Sequence, residues 1–178
     1  YSDSFYDKVR RRVTLEQELR GALARSELSL VYQPTVCATD GAVTGVEALL
    51  RWRTADGDLR SPAEFIPVAE ETGEIVAIGR WVLEEACRQA VAWHEKGLAF
   101  GRMAVNVSAV QLRRPEFAGE VIATAQRLGW PTDRLVLELT ESTLMADSDA
   151  LRRGFERFRE QGFKLSIDDF GTGFSNLG

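Results

Sequence analysis

Three things are scarce in this sequence: histidine, cysteine and long apolar runs. It has one histidine, His94, and two cysteines, Cys37 and Cys87, among 178 residues. The cysteines lie in separate apolar stretches and form no CxxC pair, which predicts free thiols in a reducing, cytoplasmic location. No run approaches the roughly 18 consecutive apolar residues of a membrane span, so we expect no membrane contact by this segment. A membrane-anchored parent protein stays an open alternative.

Positive charge is also in short supply. The 22 lysines and arginines are outnumbered by 27 acids, which gives a net charge of −5 and a pI of about 5.1. No global basic field therefore gathers a nucleic-acid polymer or an anionic lipid, and an anionic substrate has to be met locally, for example by a metal ion. We interpret the cluster Arg10 to Arg12 as a solvated face of a polar segment.

The composition, 44% hydrophobic and 28% charged, is that of one globular domain. We predict a lead-in or linker helix over residues 1–27, with Thr14 and Gln17 as a capping box, and the domain itself over residues 28–178. Asp40-Gly41 separates two β-rich runs, which indicates an antiparallel hairpin.

The rest of the chain alternates between helical and extended patterns. Ser61 and Pro62 are typical of a helix start, and Gly97 ends a second, long amphipathic helix. From there strand and helix patterns follow each other, with a helix break near Pro115. This rhythm predicts parallel strands joined by right-handed crossovers, and so an α/β fold.

Polar side chains recur on one face of successive strands. In a strand, residues two apart share a face, so Glu138 lies opposite Leu135, Leu137 and Leu139. The same alternation isolates the polar residues Glu47, Asn106 and Asp168 in other strands. An open sheet with helices on both faces is not expected to carry oxygen ligands on one face of strand after strand. A closed barrel is, because its inner face belongs to all strands and its active site gathers groups from their carboxyl ends.

Acids brought together in this way need a cation. Glu47, Glu138 and Asp168 repel one another when charged, and each loses water on burial. Oxygen ligands without histidine or thiol suit Mg²⁺ or Mn²⁺ better than zinc, and Asp169 could belong to a second metal site. For Glu47 alone, an ion pair with Arg51 is an equally good interpretation. The four residues in register favour the metal site.

Two further motifs receive a modest interpretation. Asp169 to Gly171 spell the DFG of protein kinases, but neither the HRD loop nor the glycine-rich nucleotide loop precedes them, so we reject that interpretation. The turn Gly171 to Gly173 is expected to be a loop near the metals, and His94 a residue that stabilises a helix end.

The motifs together resemble one family. In order and approximate spacing, the chain is similar to the EAL-domain phosphodiesterases of bacterial cyclic di-GMP signalling from about Leu28 onward, through YQP, EALLRW, SPAEFIPVAEETGEI, VNVSAVQL, LELTES and SIDDFGTGFSNL. The resemblance implies a TIM-like (β/α)8 barrel with one antiparallel strand, of which about five strands are visible here. It also implies hydrolysis of cyclic di-GMP to linear pGpG with Mg²⁺ or Mn²⁺, possibly as two ions.

The resemblance assigns roles to single positions. The implied metal ligands are Glu47, Asn106, Glu138 and Asp168, with Asp169 at a second ion. Glu141 resembles the acid that steadies the loop Gly171 to Leu177, which the family links to dimerisation. The implied contacts to the substrate are Gln33, Leu49, Arg51 and Pro62, and the forked guanidinium of arginine suits a phosphate.

The resemblance extends beyond the last residue of this chain. In the family about three more strands follow, with a lysine that helps position the attacking water, a glutamate metal ligand and a glutamine of the substrate site. We therefore expect this chain alone to be inactive, and its two sheet edges to need a cover, for example by a second copy. The expected partners are cyclic di-GMP, a second EAL domain and an upstream GGDEF or sensory domain. A receptor that binds cyclic di-GMP without cleaving it, and a dimerisation or scaffold module, remain alternatives.

Overall fold

The computed structural model describes the backbone of residues 2–140 and 149–168, and the side chains of residues 10–139 and 151–167. A 3-10 turn precedes the fifth strand. The helices of these ranges are α1 (Ser2–Leu19), α2 (Pro62–Thr72), α3 (Glu74–Glu95), α4 (Ala109–Leu112), α5 (Phe117–Leu128) and α6 (Asp149–Glu160). The strands are β1 (Leu28–Val36), β2 (Val43–Arg53), β3 (Leu59–Arg60), β4 (Met103–Val107), β5 (Leu135–Thr140) and β6 (Lys164–Asp168).

The strands form one mixed sheet in the order β1-β2-β4-β5-β6, with the short β3 paired to β2. The β1 and β3 pairings with β2 are antiparallel, and the pairings of β2 with β4, β4 with β5 and β5 with β6 are parallel. The predicted α/β class and the single long antiparallel strand are therefore confirmed. Within the described ranges β1 and β6 lie at the two ends of the sheet, so closure into a barrel stays a prediction.

The antiparallel hairpin turns where the sequence indicates. Gly41 has a φ of 69°, a left-handed conformation that glycine adopts without a Cβ clash. Its N–H donates to the carbonyl of Cys37 at 2.9 Å, and the N–H of Ala42 donates to Oδ1 of Asp40 at 3.0 Å. The turn sets the register in which Gln33 pairs with Glu47.

The helix boundaries agree with the sequence at α2 and disagree at α1. Pro62 occupies the first position of α2, and Gly73 ends that helix with a φ of 80°. The predicted helix start at Thr14 is wrong, since α1 runs from Ser2 to Leu19 and includes Thr14. The hydroxyl of Thr14 donates to the carbonyl of Arg10 at 3.0 Å, a bond that a threonine within a helix can make.

The core lies between the helices and one face of the sheet. Met103, Val105 and Val107 of β4 are buried, as are Leu135, Leu137 and Leu139 of β5, which confirms the predicted apolar face. The buried residues of α3 pack on this face and include Ile78, Val82 and Cys87. Both cysteines are free, and burial raises the pKa of the Cys87 thiol to about 12.

The apolar face of β6 differs from that of its neighbours. Leu165 is 39% and Ile167 46% exposed, although alternation places them on the helix side of the strand. A cavity of about 350 Å³, lined by Leu165 and by Phe155 of α6, lies at this position. Across residues 2–140 and 149–168, no helix has the length and apolar character to cross a membrane.

Candidate active site

The predicted site residues lie on consecutive strands at staggered heights. Glu47 of β2 pairs with Ala104 of β4, and Asn106, two residues further along β4, pairs with Glu138 of β5. Asp168 of β6 pairs with Thr140, two residues beyond Glu138. At about 3.3 Å per residue, each step of two residues raises the level by roughly 7 Å. The four residues therefore follow a rising diagonal across the sheet.

The first two members of the diagonal are in contact. Nδ2 of Asn106 donates a hydrogen bond to Oε1 of Glu47 at 2.8 Å, across 59 positions of sequence. This bond engages neither Oδ1 of Asn106 nor Oε2 of Glu47. One oxygen of each side chain therefore remains as a ligand for a cation. The hydrogen bond also fixes the two groups relative to each other.

The alternative ion pair between Glu47 and Arg51 does not form within the described side chains. Nη1 of Arg51 donates to the carbonyl of Leu50 at 2.8 Å. That bond uses one of the five N–H groups of the guanidinium. Both residues are half-buried, and alternation places them on one face of β2. Arg51 thus lies on the same face of β2 as Glu47, four residues or roughly 13 Å further along the strand, and does not neutralise it.

Glu138 supplies the second described acid of the diagonal. It is half-buried, and its Oε2 is a buried oxygen. Its strand neighbours in register are Asn106 on one side and Ser166 on the other. A carboxylate oxygen on this face, one strand away from Asn106, is the kind of ligand that a hard cation prefers.

The predicted substrate residues lie on β1, on β2 and at the start of α2. Gln33 is exposed on β1 directly opposite Glu47, in the middle of its strand, and Leu49 shares the face of Glu47 and Arg51. Pro62 begins α2 immediately after β3, which pairs with the last residues of β2.

Three predicted parts of the site fall outside the described residues. These are Glu141, Asp169 and the loop Gly171 to Leu177. For Asp168 the backbone position is described and the side chain is not. The predicted second metal site and the role of Glu141 stay predictions.

The donor set of the described side chains fits a hard cation. Glu47, Asn106 and Glu138 offer only carboxylate and amide oxygens, which are the ligands that Mg²⁺ and Mn²⁺ prefer. Among the described side chains no three histidines, cysteines or acids are arranged to hold a metal. Glu47 and Glu138 are the acids of the predicted set that fall within this range.

A polar contact beside this diagonal was not predicted from the sequence. Oγ of Ser108, two residues after Asn106, donates to Oε1 of Glu70 at 2.5 Å. The pattern Ser108-x-x-Gln111 is a capping-box signature that could have been found, and the structure shows that box at the start of α4. The contact with Glu70 spans 38 residues, so local pattern could not indicate it.

The fold and the diagonal define an α/β domain that carries carboxylate and amide oxygens on one face of its sheet. The chain belongs to the EAL domain family, which matches residues 16–178.

Two curated relatives from Pseudomonas aeruginosa resemble the chain along nearly all of its length. The bifunctional diguanylate cyclase/cyclic di-GMP phosphodiesterase MucR is 44% identical over 177 residues, which is 99% of this chain and 26% of MucR. The cyclic di-GMP phosphodiesterase NbdA is 40% identical over 177 residues, 99% of this chain and 23% of NbdA. The chain thus spans about a quarter of these relatives.

A solved structure gives the same family. The structure described as the PaMucR phosphodiesterase in complex with c-di-GMP superposes with a TM-score of 0.84 and 46% identity, over 92% of this chain and 66% of that one. The Xanthomonas citri FimX EAL domain in complex with c-diGMP, at 23% identity and a TM-score of 0.75, supports the fold alone.

Proposed function

We propose that this chain is the amino-terminal part of a cyclic di-GMP phosphodiesterase domain that cleaves its substrate to linear pGpG. The observation that carries the proposal is the contact of Asn106 with Glu47 at 2.8 Å, on a strand face that continues to Glu138. The names of MucR and NbdA supply the substrate and the reaction class.

The residues have distinct proposed roles. Glu47, Asn106, Glu138 and Asp168 hold one Mg²⁺ or Mn²⁺, and Asp169 contributes to a second. Such an ion, when bound, supplies Lewis-acid stabilisation of the phosphate oxygens and a more acidic water. Glu141 steadies the loop Gly171 to Leu177.

The side chains predicted on β1, on β2 and at the start of α2 bind the dinucleotide. Arg51, which no described carboxylate neutralises, binds a phosphate through its remaining N–H groups. Gln33, Leu49 and Pro62 contact the rest of the substrate. Arg51 thereby holds the phosphodiester on the sheet face that carries the metal ligands.

Three features of the whole domain belong to the same proposal. The sheet closes into a TIM-like barrel with strands that follow residue 178, and two EAL domains pair as a homodimer. Because the resemblance places a lysine, a glutamate ligand and a glutamine in those further strands, the 178-residue chain alone binds its ligands without turnover.

Binding and turnover measurements on the purified chain test the proposal. Mn²⁺ binding is followed by electron paramagnetic resonance, cyclic di-GMP binding by calorimetry with Mn²⁺ present, and pGpG formation by chromatography. Glu47→Gln is expected to weaken Mn²⁺ binding by about tenfold or more. Arg51→Ala is expected to weaken cyclic di-GMP binding at unchanged Mn²⁺ affinity. Glu95→Gln is the matched control, because Glu95 is exposed at the carboxyl end of α3.

Each part of the proposal can fail separately. A wild-type chain that binds neither Mn²⁺ nor cyclic di-GMP contradicts the function. Equal Mn²⁺ affinities for Glu47→Gln and Glu95→Gln contradict the ligand assignment. Appreciable pGpG formation contradicts the expected inactivity of the chain. A chain extended by the following strands that binds cyclic di-GMP without cleaving it identifies a receptor.

A further inference from the structure

Ser108 is placed where β4 ends and α4 begins, two residues after Asn106. Its Oγ accepts the N–H of Val110 at 3.1 Å, and its own N–H donates to Oε1 of Gln111 at 3.1 Å. This capping box fixes the backbone direction at the end of β4. The position of Asn106 depends on that direction, because Asn106 is one residue before the last residue of the strand.

A second element holds the same serine from the other side. Oγ of Ser108 donates to Oε1 of Glu70, in the last turn of α2, at 2.5 Å. A serine hydroxyl has one proton, so this bond uses its single donor while its oxygen accepts from Val110. Glu70 and Ser108 are both half-buried. A bond to a charged acceptor that is shielded from water is stronger than a neutral one.

A third element, α3, packs against Gln111. Gln111 is 4% exposed, the one polar residue among the buried side chains of the described ranges. A Cβ at Gly79 of α3 would lie 2.0 Å from its Nε2. The glycine therefore makes the room in which the carboxamide reaches the N–H of Ser108. Helices α2 and α3 and the start of α4 thus meet at the end of one strand.

We propose that Glu70, Ser108 and Gln111 form a positioning cluster that orients Asn106 toward Glu47 and the cation. This inference rests on the proposed function and deepens it, since the three residues act through Asn106 and touch neither metal nor substrate. Residues that orient a metal ligand typically change metal affinity about 10–100-fold when they are removed. The cluster connects α2 and α4 to the end of the strand that carries Asn106. A displacement of Asn106 smaller than the width of a side chain is therefore enough to change metal binding.

The test measures Mn²⁺ affinity by electron paramagnetic resonance and the side-chain amide signals of Asn106 by NMR, below the unfolding temperature of each variant. Ser108→Ala and Glu70→Ala are expected to weaken Mn²⁺ binding by about tenfold and to shift the Asn106 amide signals. Ser108→Thr keeps the hydroxyl at the cap and is expected to recover both. Glu71→Ala is the matched control, because Glu71 is exposed, adjacent in sequence, and paired with Arg12 of α1.

The outcomes separate this inference from the function on which it rests. Folded Ser108→Ala and Glu70→Ala variants with wild-type Mn²⁺ affinity overturn the positioning cluster and leave the proposed function standing. A wild-type chain that binds no Mn²⁺ overturns both. If an alanine variant does not fold, Glu70→Gln decides, since it keeps the volume and replaces a charged acceptor by a neutral one. Wild-type affinity in that variant, together with unshifted Asn106 signals, also overturns the cluster.

Discussion

At the scale of single residues, the carboxylate of Glu27 is held by hydrogen bonds from two side chains. Glu27, just before β1, accepts hydrogen bonds from Nε of Arg25 at 2.6 Å and from Nε1 of the fully buried Trp52 at 3.1 Å. The side chain of Glu27 is 8% exposed. The hydrogen bond from Arg25 lowers the pKa of Glu27 below its ordinary 4.5, and the bond from Trp52 acts in the same direction. This acid ties the start of β1 to the end of β2.

Glu27→Gln is expected to lower the free energy of unfolding near neutral pH. At low pH we expect a smaller difference in stability between the variant and the wild type. Because the pKa of Glu27 is lower in the folded state, the folded state binds fewer protons. Its stabilisation is complete above pH 4.5, the ordinary value, and is lost as the pH falls through the folded-state pKa. Urea unfolding of both proteins at several pH values measures this.

The control for Glu27 is Asp56→Asn, in the exposed turn between β2 and β3. This variant is expected to follow the wild type at every pH. A stability difference between Glu27→Gln and wild type that stays constant from neutral to acid pH would show that the charge of Glu27 is not its source.

At the scale of elements, the hairpin of β1 and β2 depends on one backbone conformation. Gly41 has a φ of 69°, and a Cβ there would meet no described atom within 4 Å. Gly41→Ala is therefore expected to cost about 1–2 kcal/mol of unfolding free energy through backbone strain alone. Gly41→Asn is expected to cost less, since asparagine tolerates the left-handed region.

Gly154→Ala provides the matched control for the hairpin. Gly154 lies within α6, and a Cβ there also meets no described atom within 4 Å. Alanine in a helix interior is expected to add up to about 1 kcal/mol. Urea unfolding measures all three variants, and equal effects of Gly41→Ala and Gly154→Ala would contradict the conformational argument.

Helices, strands and turns were predictable where residues close in sequence determine them. The alternation of Glu138 with leucines, the turn at Gly41 and the start of α2 at Pro62 are each decided within a few residues, and the structure confirms them. The helix start predicted at Thr14 is wrong because a threonine with glutamine three positions later suits a cap and also the interior of a helix.

Features that join distant segments could not be predicted in this way. The bond between Ser108 and Glu70 depends on how α2 packs beside β4. The exposure of Ile167 depends on which groups pack against β6. The alternation of residues within the strand gives no information about those groups. For the site, the sequence indicated which residues share a face, and the structure added that Asn106 contacts Glu47.

At the scale of the whole molecule, the strand β6 ends the described sheet with exposed apolar side chains. Ile167 on β6 is 46% exposed, and an exposed apolar edge strand favours pairing with another chain. Ile167→Lys is expected to shift the chain toward monomer in sedimentation velocity experiments over a concentration series. Leu98→Lys is the control, because Leu98 is 53% exposed in the turn after α3, away from the sheet. If both variants change association equally, the edge is not the cause.

The order of the sheet has a consequence for how this protein is made. Along the main path from β1 to β6, each strand pairs with the one synthesised before it, apart from the short β3. Within the described ranges, a strand of this path that leaves the ribosome therefore finds its partner already outside. The contact of Glu47 with Asn106 needs nothing beyond β4, so half of the proposed cation-binding face can assemble while the remainder of the chain is still being translated.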